Sequence, residues 1–290
     1  MEAFLKRLGS GRIIVADGAM GTMLQAAGMP VGASPESWML ENPDPVINVH
    51  RAYVEAGAEL ILTCTFGGNR TRLERGGLAE RVVEINQQAV EIARKAADDK
   101  AYVAGDIGPL GQFLEPLGKM SFEQAVEIFK EQTTALFEAG VDLLYIETMS
   151  DLNELRAAIE AAKQTSTEVP ICATMSFENH ERTNMGVRPE QAAQMMLSMG
   201  VDAFGANCGA TLEMTEKVVA KMHASFLEAS LVVKPNAGKP HMEGRGVVYD
   251  ATPRDMAEYA QKFAAMGARI IGGCCGSTPA HIAAIAQAFK

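Results

Sequence analysis

The stretch Glu138-Ala139-Gly140-Val141-Asp142, followed by Leu143-Leu144-Tyr145-Ile146-Glu147, carries a helix stop, a short turn and a strand start in quick succession. Gly140 sits where a helix should end, because glycine takes up the left-handed conformation beyond a helix C-terminus at little cost. The apolar run after Asp142 does not alternate, which is how a strand reads when a parallel sheet buries both of its faces. The same grammar returns in Ser198-Met199-Gly200-Val201-Asp202 and Ala265-Met266-Gly267-Ala268-Arg269, and Ala56-Gly57-Ala58-Glu59 is a fourth instance.

Working outward, candidate strands fall at Ile13–Ala16, Glu59–Thr63, Tyr102–Asp106, Asp142–Glu147, Pro170–Met175, Asp202–Asn207, Ser230–Lys234 and Ala268–Gly273. Amphipathic patterns between them predict helices over Ser121–Gly140, Asp151–Thr167, Pro189–Gly200, Thr211–Glu228 and Thr252–Gly267. Ser121 with Gln124 is a capping box at one helix start. Eight strand–helix units in 290 residues suit a single (β/α)8 TIM barrel domain over 1–290, since such barrels need about 250 residues plus loops. A doubly wound open sheet is the competing architecture, but it usually has fewer strands, and no GxGxxG follows the first strand. The longest irregular stretches, Gly21–Asn42 and Asn236–Asp250, follow strands one and seven and so belong to the C-terminal face.

Composition narrows the function. Lys and Arg total 26 against 36 Asp and Glu, a net charge of −10, which argues against nucleic-acid or anionic-membrane binding. Hydrophobic residues at 48% and charged residues at 21% describe an ordinary globular chain. No apolar run reaches the roughly 18 residues of a membrane span. Met1 to Gly11 lacks the apolar stretch and cleavage site of a signal peptide, so the expected location is the cytoplasm. There the five cysteines are core thiols, metal ligands or nucleophiles rather than a disulfide framework.

Chemistry in such barrels sits at the C-terminal ends of the strands. The polar residues there are Asp17, Thr63 with Cys64 and Thr65, Asp106, Glu147 with Thr148, Ser176, Asn207 with Cys208, Lys234 with Asn236, and Cys274 with Cys275. Cys208, Cys274 and Cys275 fall on strands six and eight, separated by one strand, so their thiols can converge. Three soft thiolates suggest Zn2+ with its fourth position open. Successive side chains of a strand face opposite ways, so the Cys274-Cys275 doublet must lie where the strand has already turned. Gly272-Gly273 and Gly276 allow that turn. Cys172 reads as core and Cys64 as packing.

Asp17-Gly18-Ala19-Met20-Gly21-Thr22, Asn207-Cys208-Gly209, Lys234-Pro235-Asn236-Ala237-Gly238 and Gly272-Gly273-Cys274-Cys275-Gly276 together resemble the homocysteine S-methyltransferase family. This family includes the homocysteine-binding domain of cobalamin-dependent methionine synthase and betaine–homocysteine methyltransferase. The resemblance runs from Asp17 to His281. It implies a (β/α)8 barrel in which Cys208, Cys274 and Cys275 bind zinc, with homocysteine sulfur as fourth ligand. It also implies homocysteine binding at Asp17 and Glu147, whose carboxylates can hold an α-ammonium group. Backbone N–H groups of the Gly18–Gly21 turn can receive the α-carboxylate. Ser176 adds a hydroxyl, and Asn207 either touches substrate or fixes the wall behind it.

The methyl donor is less legible. Thr65-Phe66 is followed by Gly67-Gly68-Asn69 where betaine-using members carry an aromatic residue, and Trp38 is the single tryptophan. The expectation is a methylcorrinoid such as methylcobalamin on a separate protein, with homocysteine as acceptor and methionine as product. S-methylmethionine is the alternative donor, and transfer from another substrate to a corrinoid protein is a third arrangement. Two other classes stay open: a non-catalytic zinc or thiol-amino-acid binder, and a metal-free lyase using Lys234 as a Schiff-base amine. The five histidines read as surface or cap residues. Met195, Met196, Met199 and Met222 read as core filler, while Met20, Met23, Met39 and Met242 lie near the expected mouth.

Overall fold

The computed structural model describes residues 2–243 and 246–290. Its main sheet holds β1 (Ile14–Val15), β2 (Leu60–Leu62), β3 (Tyr102–Ile107), β4 (Leu143–Met149), β5 (Ile171–Met175), β6 (Ala203–Cys208), β7 (Leu231–Pro235) and, after the hairpin β8 (Pro240–Glu243) and β9 (Gly246–Tyr249), β10 (Ala268–Ile271). The strands run β1-β10-β7-β6-β5-β4-β3-β2, every neighbouring pair parallel. A parallel bridge between Ala16 and Leu60 brings β2 back to β1 and rounds the sheet into the expected (β/α)8 barrel.

Strand residues sort by parity, as the pleat requires. Ile14, Leu60, Tyr102, Ala104, Leu143, Tyr145, Cys172, Ala203, Val232 and Ile270 pack together inside the barrel. The intervening Val15, Ile61, Val103, Leu144, Ala173, Phe204, Val233 and Ile271 pack outward against the helices. Helix Phe4–Leu8 plugs the N-terminal end with Phe4 and Leu8. The Phe4 ring meets Tyr102 edge-on at 5.4 Å. Buried Arg7 reaches Glu59 at 2.9 Å and donates to the carbonyls of Arg12 and Ile13 at 3.0 and 2.7 Å.

Helices Phe122–Glu138, Leu152–Thr165, Pro189–Ser198, Leu212–Ser225 and Pro253–Ala265 lie where the amphipathic patterns put them, up to three residues shorter at the ends. Ser121 and Gln124 form the capping box. Gly140, Gly200 and Gly267 follow three of these helices at φ +85°, +63° and +87°.

Two expectations change. Gly21–Asn42 is not irregular; it holds helices Gly21–Ala26 and Pro35–Glu41, too short to show a period. Asn236–Asp250 holds the β8–β9 hairpin, apart from residues 244 and 245, which lie outside the described residues. Its four-residue strands begin with Pro240 and Gly246, which mask a strand pattern.

Candidate metal and substrate site

The C-terminal mouth of the barrel gathers the three cysteines. Parity on β6 turns Ala203, Gly205 and Asn207 inward, so Cys208 should point away from the lumen. Its left-handed backbone, φ +56°, re-aims it. Such a conformation costs a non-glycine residue of order 1–3 kcal/mol and persists only where its surroundings enforce it. Here the Asn236 N–H donates to the Cys208 carbonyl at 3.2 Å. Cys274 and Cys275 lie past the end of β10 in a turn, as the alternation argument required. The Cys274 N–H donates to Pro235 O at 2.7 Å, and the Ala237 N–H to Cys275 O at 2.9 Å, so the turn is stitched to the end of β7. Gly276 has φ +78°, and a Cβ there would run into the Tyr249 ring.

The three sulfurs lie within 4.8 Å of one another, the one such group of possible metal ligands among the described residues. Tetrahedral zinc with sulfur at about 2.3 Å needs sulfurs about 3.8 Å apart. The donor set therefore fits zinc, and Cys208 Sγ and Cys274 Sγ, 2.7 Å apart, would spread to take it. Hydrogen bonds to Cys208 and Cys275, with burial, push the Cys274 thiol up. Hydrogen bonds from Cys208 and Cys274 hold Cys275 down at about 3, and Tyr249 adds to this from the hairpin. Among the three sulfurs, ionisation is thus most favoured at Cys275. Cys172 is fully buried in the barrel interior, as expected. Cys64 is buried too, but it also lines the cavity described next.

A cavity of about 810 Å3 opens beside the sulfurs. Asp17, Gly18, Asp106, Glu147, Thr148 and Lys234 line it, together with Glu36, Phe66 and Arg72. Asp17 is already paired: Oδ1 takes Lys234 Nζ at 2.7 Å and Oδ2 accepts the Leu62 N–H at 2.8 Å. Burial works against the Lys234 cation, but Asp17 and Glu147 outweigh it and raise its pKa. A protonated, ion-paired ammonium is a poor Schiff-base nucleophile, so the lysine reads as a counter-ion. Burial pushes Glu147 up to about 7, helped by Asp17 and Cys275 and opposed by Lys234.

Asn207 stands behind this wall rather than in it. Its Oδ1 accepts the Thr148 N–H at 2.8 Å and the Thr174 hydroxyl at 2.7 Å. Its Nδ2 donates to Thr148 Oγ1 at 2.7 Å and to Glu147 Oε2 at 3.4 Å. It holds Thr148 in a left-handed conformation, φ +61°, and Glu147 with it. Ser176 is buried just past β5 and is not among the cavity-lining residues. Gly18 is fixed by close approach: a Cβ there would lie 2.6 Å from Ser277 Oγ and 2.8 Å from Tyr53. The Tyr53 hydroxyl donates to the Ala19 carbonyl at 2.7 Å, securing the Gly18–Gly21 turn.

Sequence reasoning missed the pairing of Asp17 with Lys234, the brace from Tyr53 and the approach of Tyr249. No spacing rule announces partners 217 residues apart. His50 corrects the expectation of surface histidines: it is fully buried on helix Pro43–Glu55, and burial lowers its pKa to about 4. His281 is a cap, its Nδ1 accepting the Thr278 N–H at 3.1 Å. Trp38 packs against the core, Met39 is fully buried, Met20 lines the cavity and Met242 is exposed.

No helix among the described residues is long and apolar enough to cross a membrane. The family model described as homocysteine S-methyltransferase matches residues 14–289. The methionine synthases of Mycobacterium tuberculosis (strain ATCC 25618 / H37Rv) and Mycobacterium leprae (strain TN) are 34% and 32% identical over 96% of this chain. The chain spans about a quarter of their length, 25% and 24%. The crystal structure of the homocysteine methyltransferase MmuM from Escherichia coli, metallated form, superposes with a TM-score of 0.83 at 28% identity, covering 97% of both chains.

Proposed function

The chain belongs to the homocysteine S-methyltransferase family, and from that premise we propose that it is a zinc-dependent enzyme that methylates homocysteine to methionine. The observation that carries this reading is the convergence of three thiols, from two separate parts of the chain, on the edge of a cavity lined with carboxylates. Zinc, when bound, would take the substrate sulfur as its fourth ligand and keep it as the nucleophilic thiolate.

The chain's own residues supply the rest. Cys208, Cys274 and Cys275 hold the metal. Asp17 and Glu147 set a negative field for the α-ammonium group, and Asn207 braces Glu147. The N–H groups of Gly18 and its neighbours in the turn receive the α-carboxylate, and Ser176 backs the wall beyond β5. Held in this way, the sulfur attacks the methyl carbon in line; the S–CH3 bond forms as the donor leaves with the electron pair of its own bond to carbon. Positioning of this kind converts a bimolecular encounter into an oriented one.

We assign the donor role to a methylcorrinoid carried by a separate protein; the support is the likeness to methionine synthases, of which this chain spans about a quarter. A small donor such as S-methylmethionine is the second reading. It is favoured by the size of the cavity, about 810 Å3, which leaves room for a second small molecule beside the amino acid. Residues 1–290 act as one homocysteine-binding domain, in the cytoplasm, where thiols stay reduced.

The test is methyl transfer to homocysteine by zinc-loaded protein, with methylcobalamin and with S-methylmethionine in parallel. Methionine formed with either donor supports the enzyme and chooses between donors. Tight zinc and homocysteine binding without transfer from either would make the chain a binder instead.

A further inference from the structure

Three carboxylates from the ends of β1, β3 and β4 line the cavity, and their bonding differs. Both oxygens of Asp17 are occupied, by Lys234 Nζ and the Leu62 N–H. Glu147 receives a single long bond of 3.4 Å from Asn207. The Asp106 carboxylate has no hydrogen-bond partner among the described residues, and its Oδ1 is wholly buried. Asp106 is 6% exposed and lines the cavity.

Its backbone is firmly held all the same. Its N–H donates to Thr63 Oγ1 at 2.9 Å, and its carbonyl accepts the Thr65 hydroxyl at 2.7 Å. The barrel thus fixes the position of Asp106 while leaving its carboxylate bare. An unpaired buried carboxylate is costly. Apolar residues fill the same parity one layer below, at Ala104 and Tyr102. A carboxylate kept there without a partner points to a cation that arrives from outside the chain.

Asp106 sits on β3 with Tyr145 of β4 opposite it, so Glu147, two residues further along β4, shares its side of the sheet and its cavity. A primary ammonium has three N–H donors to satisfy, more than Glu147 alone can serve. Resting on the reading that homocysteine is the substrate, we propose that Asp106 is a second receptor for its α-ammonium group, shared with Glu147. Asp106 is then a substrate-binding residue that selects amino-acid thiols over simple thiols, and it takes no part in holding metal.

The test is calorimetric binding to zinc-loaded protein, comparing homocysteine with 4-mercaptobutyrate, the same thiol acid without the amino group. Losing a charge-assisted hydrogen bond costs about tenfold to a hundredfold in affinity. Asp106→Asn should weaken homocysteine by that factor, leave 4-mercaptobutyrate unchanged, and keep zinc content and melting temperature at wild-type values or above. Asp106→Ser should do the same, should the amide fold poorly. Equal affinity of variant and wild type for homocysteine overturns the proposal, as does an equal loss for both ligands. A wild-type protein that binds zinc but not homocysteine overturns this proposal and the assignment of the substrate together; the other two outcomes leave that assignment standing.

Discussion

At the N-terminal end of the barrel, Phe4 and Leu8 close the lumen over Tyr102 and Leu143, and Arg7 there finds Glu59 and two carbonyls. Near the C-terminal ends of β3, β4, β6 and β7 the inward positions are Asp106, Glu147, Asn207 and Lys234. Three thiols stand beside them, and one of the carboxylates is without a partner. The lumen is one continuous column of alternate strand residues. Its lower part is filled by side chains that need nothing but each other, its upper part by groups that need something more. The difference teaches where stability ends and function begins along a single strand: Tyr102 and Ala104 of β3 pack, and Asp106, two residues on, waits.

The comparison breaks if damage at one end is felt at the other. Cys208→Ala should release the zinc and abolish methyl transfer, yet the barrel should still fold, which metal analysis and circular dichroism together read. Loss of helical signal would mean that the metal holds the fold. The mirror experiment is Phe4→Ala. Truncating a buried aromatic ring should cost about 3 kcal/mol in denaturant unfolding while leaving zinc content and the KM for homocysteine untouched. A changed KM would show that the plug and the mouth are coupled.

His50 sharpens the picture at a smaller scale. Its folded pKa of about 4 lies below the ordinary value of 6.5, so the unfolded chain takes up the proton first as pH falls. Stability from the neutral, buried ring is present above pH 6.5 and is lost progressively down to about pH 4. At pH 5.5 the loss is about 1 kcal/mol. His50→Gln should flatten that part of the unfolding profile; a variant as pH-sensitive as wild type would remove His50 as its source.

The barrel was legible because its signals are local and repeated: an apolar run eight times over, with a helical period after five of them and a glycine helix stop at four. The meeting of the three cysteines was legible because a cysteine doublet set in glycine at a strand end has few structural uses. The left-handed turn of Cys208 was not, since pleat alternation alone would point its sulfur away from the lumen. The Asp17–Lys234 pair, the unpaired Asp106 and the burial of His50 depend on which strands and helices become neighbours, information that no short window contains. The short helices after β1 escaped because five to seven residues show no period, and the hairpin because its strands are brief.

The proposed chemistry depends on one zinc ion gripped by Cys208, Cys274 and Cys275 with a place left for the substrate's sulfur. Zinc K-edge X-ray absorption on the loaded protein measures this directly, by counting sulfur neighbours without and with homocysteine. Three sulfurs at about 2.3 Å are expected, rising to four when homocysteine is added. A count that stays the same, or one below three at the start, would contradict it.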